Sequence, residues 1–525
     1  MKWTNVYGLD QLGSFLQKTR KEKGYTQDEF AEIIGASHAT LSALENGKGV
    51  SSQTLMRAIS DLGLKLVVLP KGAQAEVHDA PASVVASALA PRRGSTVNSE
   101  ILEVRLGGEK IGQLARTKNG ARFAFSEEVA SAHPFSPLLS TALCVQEEPF
   151  DAQRTFSWFS GLLPEDARLD ELQRFYGVAE GDYFGLLAQI GWECAGAVEV
   201  MPSEDWALAR ASQELPREKR LTPEELSARL AALPSHPYDD ASSLRVSLGG
   251  FQEKLCVIAR SEDWAAAEPG HRALSSAALP LDGAPSTHIL KPQPQGRLAG
   301  LVEAEAWGME VARHVTETAG SAILDLLEAP STLVVERFDR VETERRLVRL
   351  HQEDCAQALG IEPGRKYAAT ATPTKSDPTY KGIAELLSRY AADSLEERKR
   401  LLRHLFVNTV LGNTDAHAKN YALLHGGDEV RLAPLYDVVP ALEITPNVLF
   451  MGLRIDGRIR IDRIERENIV AEARSWGLPA RVVDEVLGKA AEDVRLGIAI
   501  ASELYPEADA RHAAPALERL KAMGF

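Results

Sequence analysis

The chain has 525 residues, 44% of them hydrophobic and 25% charged, with a formal net charge of −15. That length exceeds one core and predicts three or four domains. The acidic balance excludes a protein that binds nucleic acid over its whole surface, though not one small DNA-reading module. The four cysteines, Cys144, Cys194, Cys256 and Cys355, form no CxxC pair. Neither a zinc ribbon nor a disulfide framework is expected, and reduced thiols fit a cytoplasmic protein. The opening MKWTNVYGLDQLG is not a signal peptide, and no apolar run approaches the roughly 20 residues of a membrane helix.

Residues 9–70 read as short helices. LDQLGSFLQKTRKEKG places Leu9, Leu12, Phe15 and Leu16 on one stripe and stops at Gly24. In YTQDEFAEIIG, Thr26 and Glu29 make a capping-box pattern and Gly35 ends the helix. ASHATLSALENGKG comes next, capped by Ser37, with Leu41 and Leu44 inward. Two short helices across a tight turn are a helix-turn-helix. SQTLMRAISDLG adds a helix, and LKLVVLP reads as a strand able to pair across a dimer. Residues 72–99, rich in Ala, Ser and Pro, read as a flexible linker of about 28 residues that need not hold the module rigidly against the rest of the chain.

From Ile101, ILEVRLGGEKIGQLAR is a hairpin pattern across Gly107-Gly108. Residues 156–200 turn helical, and a charged stretch runs to about residue 235. Strands are expected in LRVSLGGFQEKLCVIA, THILKP and STLVVERFDR, with a helix in EAEAWGMEVARHVTETAG. Beyond about residue 380 the pattern is mostly helical. The fold expected is multidomain. An all-α helix-turn-helix module (1–71) and a linker (72–99) precede an α+β body. That body divides at about 100–235 and 236–525, with a sheet-rich lobe before a helical one.

The first module resembles the helix-turn-helix of the lambda-repressor/Xre type. That arrangement puts Ser37, His38, Ala39 and Thr40 at base edges in the major groove and Gln27 at a phosphate. A small bundle for protein contact is the other reading, since residues 1–71 carry only nine Lys and Arg against seven Asp and Glu. One such module reads half a site, so a homodimer on operator DNA is expected.

GNTDAHAKNY, residues 412–421, gathers an acid, an imidazole, an ammonium and two amides after the apolar run LFVNTVL. Asp415 and Asn420 have the five-residue spacing of a kinase catalytic loop, in which the Asp accepts the substrate hydroxyl's proton and the Asn holds magnesium. Asp437 in LYDVVPA supplies a second carboxylate for the metal. His417 reads as a loop-orienting group. Lys419 either neutralises the moving phosphoryl group or is a solvated charge. Lys291 in THILKP is the candidate cation for the nucleotide phosphates, with an exposed strand-end lysine as its alternative.

SLGGFQEK, THILKP, VERFDR, HQEDCAQALG, GNTDAHAKN and LYDVVPA, in that order, resemble the HipA family of toxin serine/threonine kinases. FSWFSGLLPEDARLDEL and LLAQIGWECAGAVEVMP resemble that family's N-terminal subdomain, so the likeness spans roughly residues 100–500. The first module resembles HipB, the family's DNA-binding antitoxin. The resemblance implies a kinase fold with ATP and Mg2+ between two lobes and Asp415 as general base. Asn420 and Asp437 hold magnesium, and Lys291 meets the phosphates. The turn Leu248, Gly249, Gly250, Phe251, Gln252, Glu253 and Lys254 forms the phosphate loop. Glu336, Arg337 and Phe338 lie beside the adenine, and Glu353 and Asp354 support the cleft. Ser247 is the inactivating autophosphorylation site that the resemblance implies. It also implies a protein acceptor, with aminoacyl-tRNA synthetases as the family's best-known substrate class. Two other readings stay open: a DNA-binding regulator whose kinase-like region only senses nucleotide or mediates assembly, and a small-molecule phosphotransferase.

Overall fold

The computed structural model describes residues 8–64, 66, 100–118, 120–204, 218–233, 254–281, 283–294, 298–326, 329–343, 347–369, 372–374, 376–445 and 448–525. The expected linker, most of LKLVVLP, and the turn from Ser247 to Glu253 lie outside those residues.

Four helices come first: α1 (Leu9–Glu22), α2 (Gln27–Ile33), α3 (His38–Glu45) and α4 (Ser52–Asp61). The capping box forms as the sequence predicts. Thr26 Oγ1 accepts the Glu29 N–H, and Glu29 accepts the Thr26 N–H at 2.9 Å. Ser37 accepts the Thr40 N–H at the start of α3. Each cap contributes about 1 kcal/mol. Leu16, Phe30, Ile34, Leu41, Leu44 and Ile59 close the core of the module.

The second unit is an antiparallel sheet of β1 (Ile101–Leu106), β2 (Glu109–Thr117), β3 (Gly120–Phe125) and β4 (Val198–Pro202), ordered β3-β2-β1-β4. Gly107 and Gly108, with φ of 59° and 88°, make the tight β1–β2 turn. Helices Ala152–Phe159 and Tyr183–Ile190 cover one face through Phe123, Trp158, Phe159 and Phe184.

The third unit is a six-stranded sheet of β5 (Leu255–Val257), β6 (Trp264–Ala265), β7 (His271–Leu274), β8 (His288–Pro292), β9 (Ser321–Asp325) and β10 (Thr332–Glu336). Its order is β5-β8-β10-β9-β7-β6. Helix α5 (Leu301–Val315) packs against it. Leu221, Leu226 and Leu230 share a core with Leu255, Leu290 and Val334, so residues 218–233 pack with this sheet.

The helical lobe holds a small sheet of β11 (Gln352–Asp354), β12 (Ala422–His425) and β13 (Val430–Leu432). Around it lie α6 (Tyr380–Tyr390), α7 (Ser394–Leu411), α8 (Ala480–Leu504) and α9 (Pro506–Ala522).

A buried charge network joins the second unit to the kinase-like body. Glu193 accepts from Arg337 at 2.9 Å, from Arg340 at 3.0 Å and from Arg349 at 2.8 Å. Asp339 accepts from Arg337 at 2.8 Å and from the Gly196 N–H at 2.7 Å. Burial works to raise both carboxyls, but the guanidiniums more than offset it and hold them below the usual range. Arg337, expected beside the adenine, is thereby committed to this joint.

The helix-turn-helix is docked on the helical lobe, where the linker reading left it free. Asp61, at the end of α4, accepts from Ser394 Oγ at 2.6 Å and from Arg398 Nη2 at 3.0 Å, and all three residues are buried. Ser60 donates to the Ser388 carbonyl. Gly63 lies at φ 66°, where an added Cβ would meet the Ala392 carbonyl oxygen at 2.1 Å, so glycine permits the approach. Arg474 pairs with Glu32 at the rim. Linker composition says nothing about such a surface, because the docking groups lie on the two partners.

Candidate active site

Strand β8 carries Lys291 next to its last residue, and that ammonium donates to Glu305 Oε1 at 2.7 Å and to Asp437 Oδ1. Glu305 lies on α5 and is buried. Burial disfavours the Lys291 charge, yet Asp437 and Glu305 outweigh it and keep the ammonium above the ordinary lysine range. Burial also pushes the Glu305 carboxyl up, against the pull of Lys291. The alternative of an exposed strand-end lysine is ruled out by its 9% exposure.

Asp437 sits at φ 56°, a left-handed conformation uncommon outside glycine. Gly308 of α5 lets that turn approach: an added Cβ would lie 2.3 Å from the Val438 carbonyl oxygen. Burial works to raise the Asp437 carboxyl, but Lys291 overrides it and holds it well below the usual range.

Helix α7 stops at Gly412, at φ 73°, and the polar loop begins. Asn413 is its hub. The side chain donates to Asn408 Oδ1 and to the Asp437 carbonyl, both at 2.9 Å, and accepts the Asp415 N–H at 3.2 Å. One buried amide therefore fixes the two acids relative to each other. Asn420 ends a short 3-10 turn (Ala418–Asn420) and donates Nδ2 to the Asp415 carbonyl at 3.0 Å. That bond leaves its amide oxygen for another partner.

Asp415 is open to the cleft and accepts from the Tyr367 hydroxyl. Desolvation within the cleft raises its carboxyl above the usual range, and the Tyr367 bond opposes that rise. His417 stands 4.8 Å from the Tyr367 ring, edge to face. Burial lowers its pKa to about 3, so it is neutral at pH 7. No cluster of three or more His, Cys, Asp or Glu suited to a metal occurs among the described residues.

Lys419 is not a solvated charge. It donates to Asp354 at 2.6 Å and to the Gly161 carbonyl at 3.1 Å, and lies 3.6 Å from Glu165. It thereby ties the catalytic-type loop to the second unit, whose Glu165 also pairs with Lys366. Glu353 is buried and accepts the Trp158 indole N–H at 2.9 Å, so it supports this joint from beneath.

Tyr367, His417, Lys419, Asn420 and Glu165 line one cavity of about 900 Å³. Lys254, Lys291 and Asp437 lie in it with Asp415, and Phe338 and Tyr436 form an apolar wall with ring centroids 5.4 Å apart. Burial first, and the neighbouring Lys291 second, lower the Lys254 pKa to about 8. Glu336 lines the cavity where the expected adenine edge lies. Of the expected phosphate loop only Lys254 is described; Ser247 to Glu253 lie outside the described residues. The helix-turn-helix contributes none of the described lining residues. On that module Ser37, His38 and Ala39 are exposed and Thr40 half-buried at the start of α3. Gln27 instead donates Nε2 to Glu45 at 3.0 Å, so its amide nitrogen braces the module.

Sequence reading missed Glu305, Asn413, Tyr367 and Glu165. Glu305 carried a weak signal, as one of several acids on an apolar helix after the lysine strand. The other three are 2 to 250 residues from Asp415, and only the fold assigns their partners.

The family model for the HipA-like C-terminal domain matches residues 246–497, that for the HipA N-terminal domain residues 102–201, and a helix-turn-helix model residues 16–69. Y4mE of Sinorhizobium fredii is 30% identical over 412 residues, covering 77% of this chain and 93% of that protein. The serine/threonine-protein kinase toxin HipA of Shewanella oneidensis is 27% identical over 431 residues, covering 79% and 92%. The solved complex of Shewanella oneidensis HipA, HipB and operator DNA contains a chain that superposes with a TM-score of 0.66 at 23% identity, covering 81% of this chain and 98% of that one.

Proposed function

The chain belongs to the HipA kinase family, and from that premise we propose that it is an ATP- and magnesium-dependent serine/threonine-protein kinase of toxin–antitoxin type. Its own operator-binding module is carried in the same polypeptide. The observation that carries the reading is the Lys291–Glu305–Asp437 ion triad facing Asp415 across one cleft. A lysine held by a helix glutamate beside a metal-binding aspartate is the arrangement phosphoryl transfer requires.

Lys291 and Lys254 bind the nucleotide phosphates, and Phe338 and Tyr436 face the base. Asp437 and the free amide oxygen of Asn420 offer the oxygen donors magnesium prefers. Bound there, the ion would neutralise charge on the transferred group. Asp415 takes the acceptor hydroxyl's proton while Asn413 holds it in register with Asp437. Lys419, committed to Asp354 and Glu165, acts by fixing the loop. Ser247 is the self-modification site of this reading; a phosphate there adds nearly two negative charges beside the triphosphate. The acceptor is a protein hydroxyl, with an aminoacyl-tRNA synthetase as the proposed substrate class.

The exposed start of α3 reads operator bases through Ser37, His38, Ala39 and Thr40, in a homodimer. Because this edge is free while α4 is docked, DNA binding and kinase activity belong to one compact molecule. Two measurements test the proposal. Phosphoproteomics after expression should show new phosphoserine or phosphothreonine with the wild type and not with Asp415→Ala. Operator binding should be lost on removing residues 1–71; equal binding by the shortened chain overturns the DNA assignment.

A further inference from the structure

One polar contact in the cleft has no part in the phosphoryl transfer proposed for it. The Tyr367 hydroxyl donates to Asp415 Oδ1. That carboxylate is the group proposed to receive the proton of an acceptor hydroxyl, so the phenol stands where an acceptor's hydroxyl must come. We propose that Tyr367 is a resident occupant of the acceptor site, a gate that an incoming protein hydroxyl has to displace before transfer. The inference rests on the kinase reading of Asp415.

The placement is built rather than incidental. The Ala418 N–H, in the catalytic-type loop itself, donates to the Lys366 carbonyl at 3.1 Å. The Ala368 N–H donates to the Gly452 carbonyl at 2.9 Å. Tyr367 is therefore clamped on both sides by backbone bonds. Its ring rests edge-on against His417 at 4.8 Å, with the Lys366 ammonium 5.5 Å from its centroid. Lys366 is in turn paired with Glu165. The backbone is fixed, but Tyr367 is 46% exposed, so rotation of the side chain alone can clear Asp415. An acceptor must supply a hydroxyl bond of equal quality, plus contacts with the surrounding Glu165 and Lys366 wall, to make that rotation favourable. The gate therefore selects against small hydroxyl compounds and water, which bring no such contacts.

The test compares wild type with Tyr367→Phe and Tyr367→Leu, using the synthetic peptide LRVSLGGFQEK (residues 244–254), in which Ser247 is the only hydroxyl. Thermal melting confirms that each variant is folded. Transfer from ATP should show the peptide KM falling about tenfold in both variants, with the ATP KM unmoved. The magnitude is that of one hydrogen bond to a charged group, about 1.4 kcal/mol per factor of ten. Hydrolysis of ATP by water should rise as well. In parallel, fluorescence anisotropy of labelled peptide with a non-hydrolysable ATP analogue should show tighter binding by the same factor, which needs no turnover. An unchanged peptide affinity, a fall in kcat at constant peptide KM, or phosphate recovered on Tyr367 itself overturns the gate. Absence of transfer by every chain with tighter peptide binding by the variants would count against the kinase reading and leave the gate standing.

Discussion

Replacing Asp61 by alanine should undock the helix-turn-helix from the kinase-like body. Asp61 is the shared acceptor of Ser394 Oγ and Arg398, and Arg398 is among the largest fully buried side chains. Removing one partner of a buried pair costs about 3–5 kcal/mol, because the other charge is left uncompensated. Here Arg398 keeps two carbonyl acceptors, Ser394 at 3.1 Å and Trp476 at 2.7 Å. The low end, about 3 kcal/mol, is therefore expected. The stranded Ser394 hydroxyl adds about 1 kcal/mol. Together they shift the docking equilibrium by about three powers of ten. Hydrogen–deuterium exchange reads this directly: amides of α4, α6 and the first turn of α7 should lose protection, while β8 and β10 keep theirs. The double variant Asp61→Leu with Arg398→Met should recover most of the protection, since an apolar pair of similar volume is often neutral in place of buried ions. Unchanged exchange in Asp61→Ala would refute the claim that this pair holds the dock.

Contacts elsewhere in the chain predict three further outcomes. Lys291→Met should lower phosphoryl transfer at least about 100-fold, because it removes the proposed phosphate cation and leaves Glu305 facing Asp437; calorimetric ATP titration should show weakened binding. Asn413→Ala should leave ATP binding near wild type and cut kcat about 100-fold, since it frees Asp415 from its register with Asp437; single-turnover kinetics separate the two effects. The joint around Glu193 and Asp339 should loosen in acid. Both carboxyls are held below their usual range in the folded chain. Their contribution is thus full above the unfolded value, about pH 4, and is lost as pH falls through the folded values. Tm should drop as pH falls from about 4 to about 2, and a rise over that interval would contradict the network.

What could be read from the sequence was what is encoded locally. Thr26 and Glu29, Ser37 and Thr40, and Gly107-Gly108 act within four residues, and each appears in the structure as its spacing predicts. The catalytic-type loop was legible for the same reason, since Asp415 and Asn420 share one short turn. Long-range partners were not legible. Tyr367 reaches Asp415 across 48 residues, Lys366 reaches Glu165 across 201, and Arg398 reaches Asp61 across 337. No periodicity or spacing carries such pairings, because they depend on how separate units close on one another. Lys419 shows the cost: alone it reads equally as a phosphoryl-neutralising cation or a solvated charge, yet the second unit supplies Glu165 and Gly161 to bury it. Gln27 shows the same limit within the module, where its amide nitrogen also braces Glu45.

The central claim is that this cleft transfers phosphate and that Asp415 is the group on which transfer depends. Purified full-length chain, incubated with γ-labelled ATP and magnesium, tests it most directly beside Asp415→Ala. The account predicts label on a serine or threonine of the wild-type chain or of added protein, including Ser247, and none with the variant. Equal labelling of both, or no label in either while ATP still binds, would contradict it.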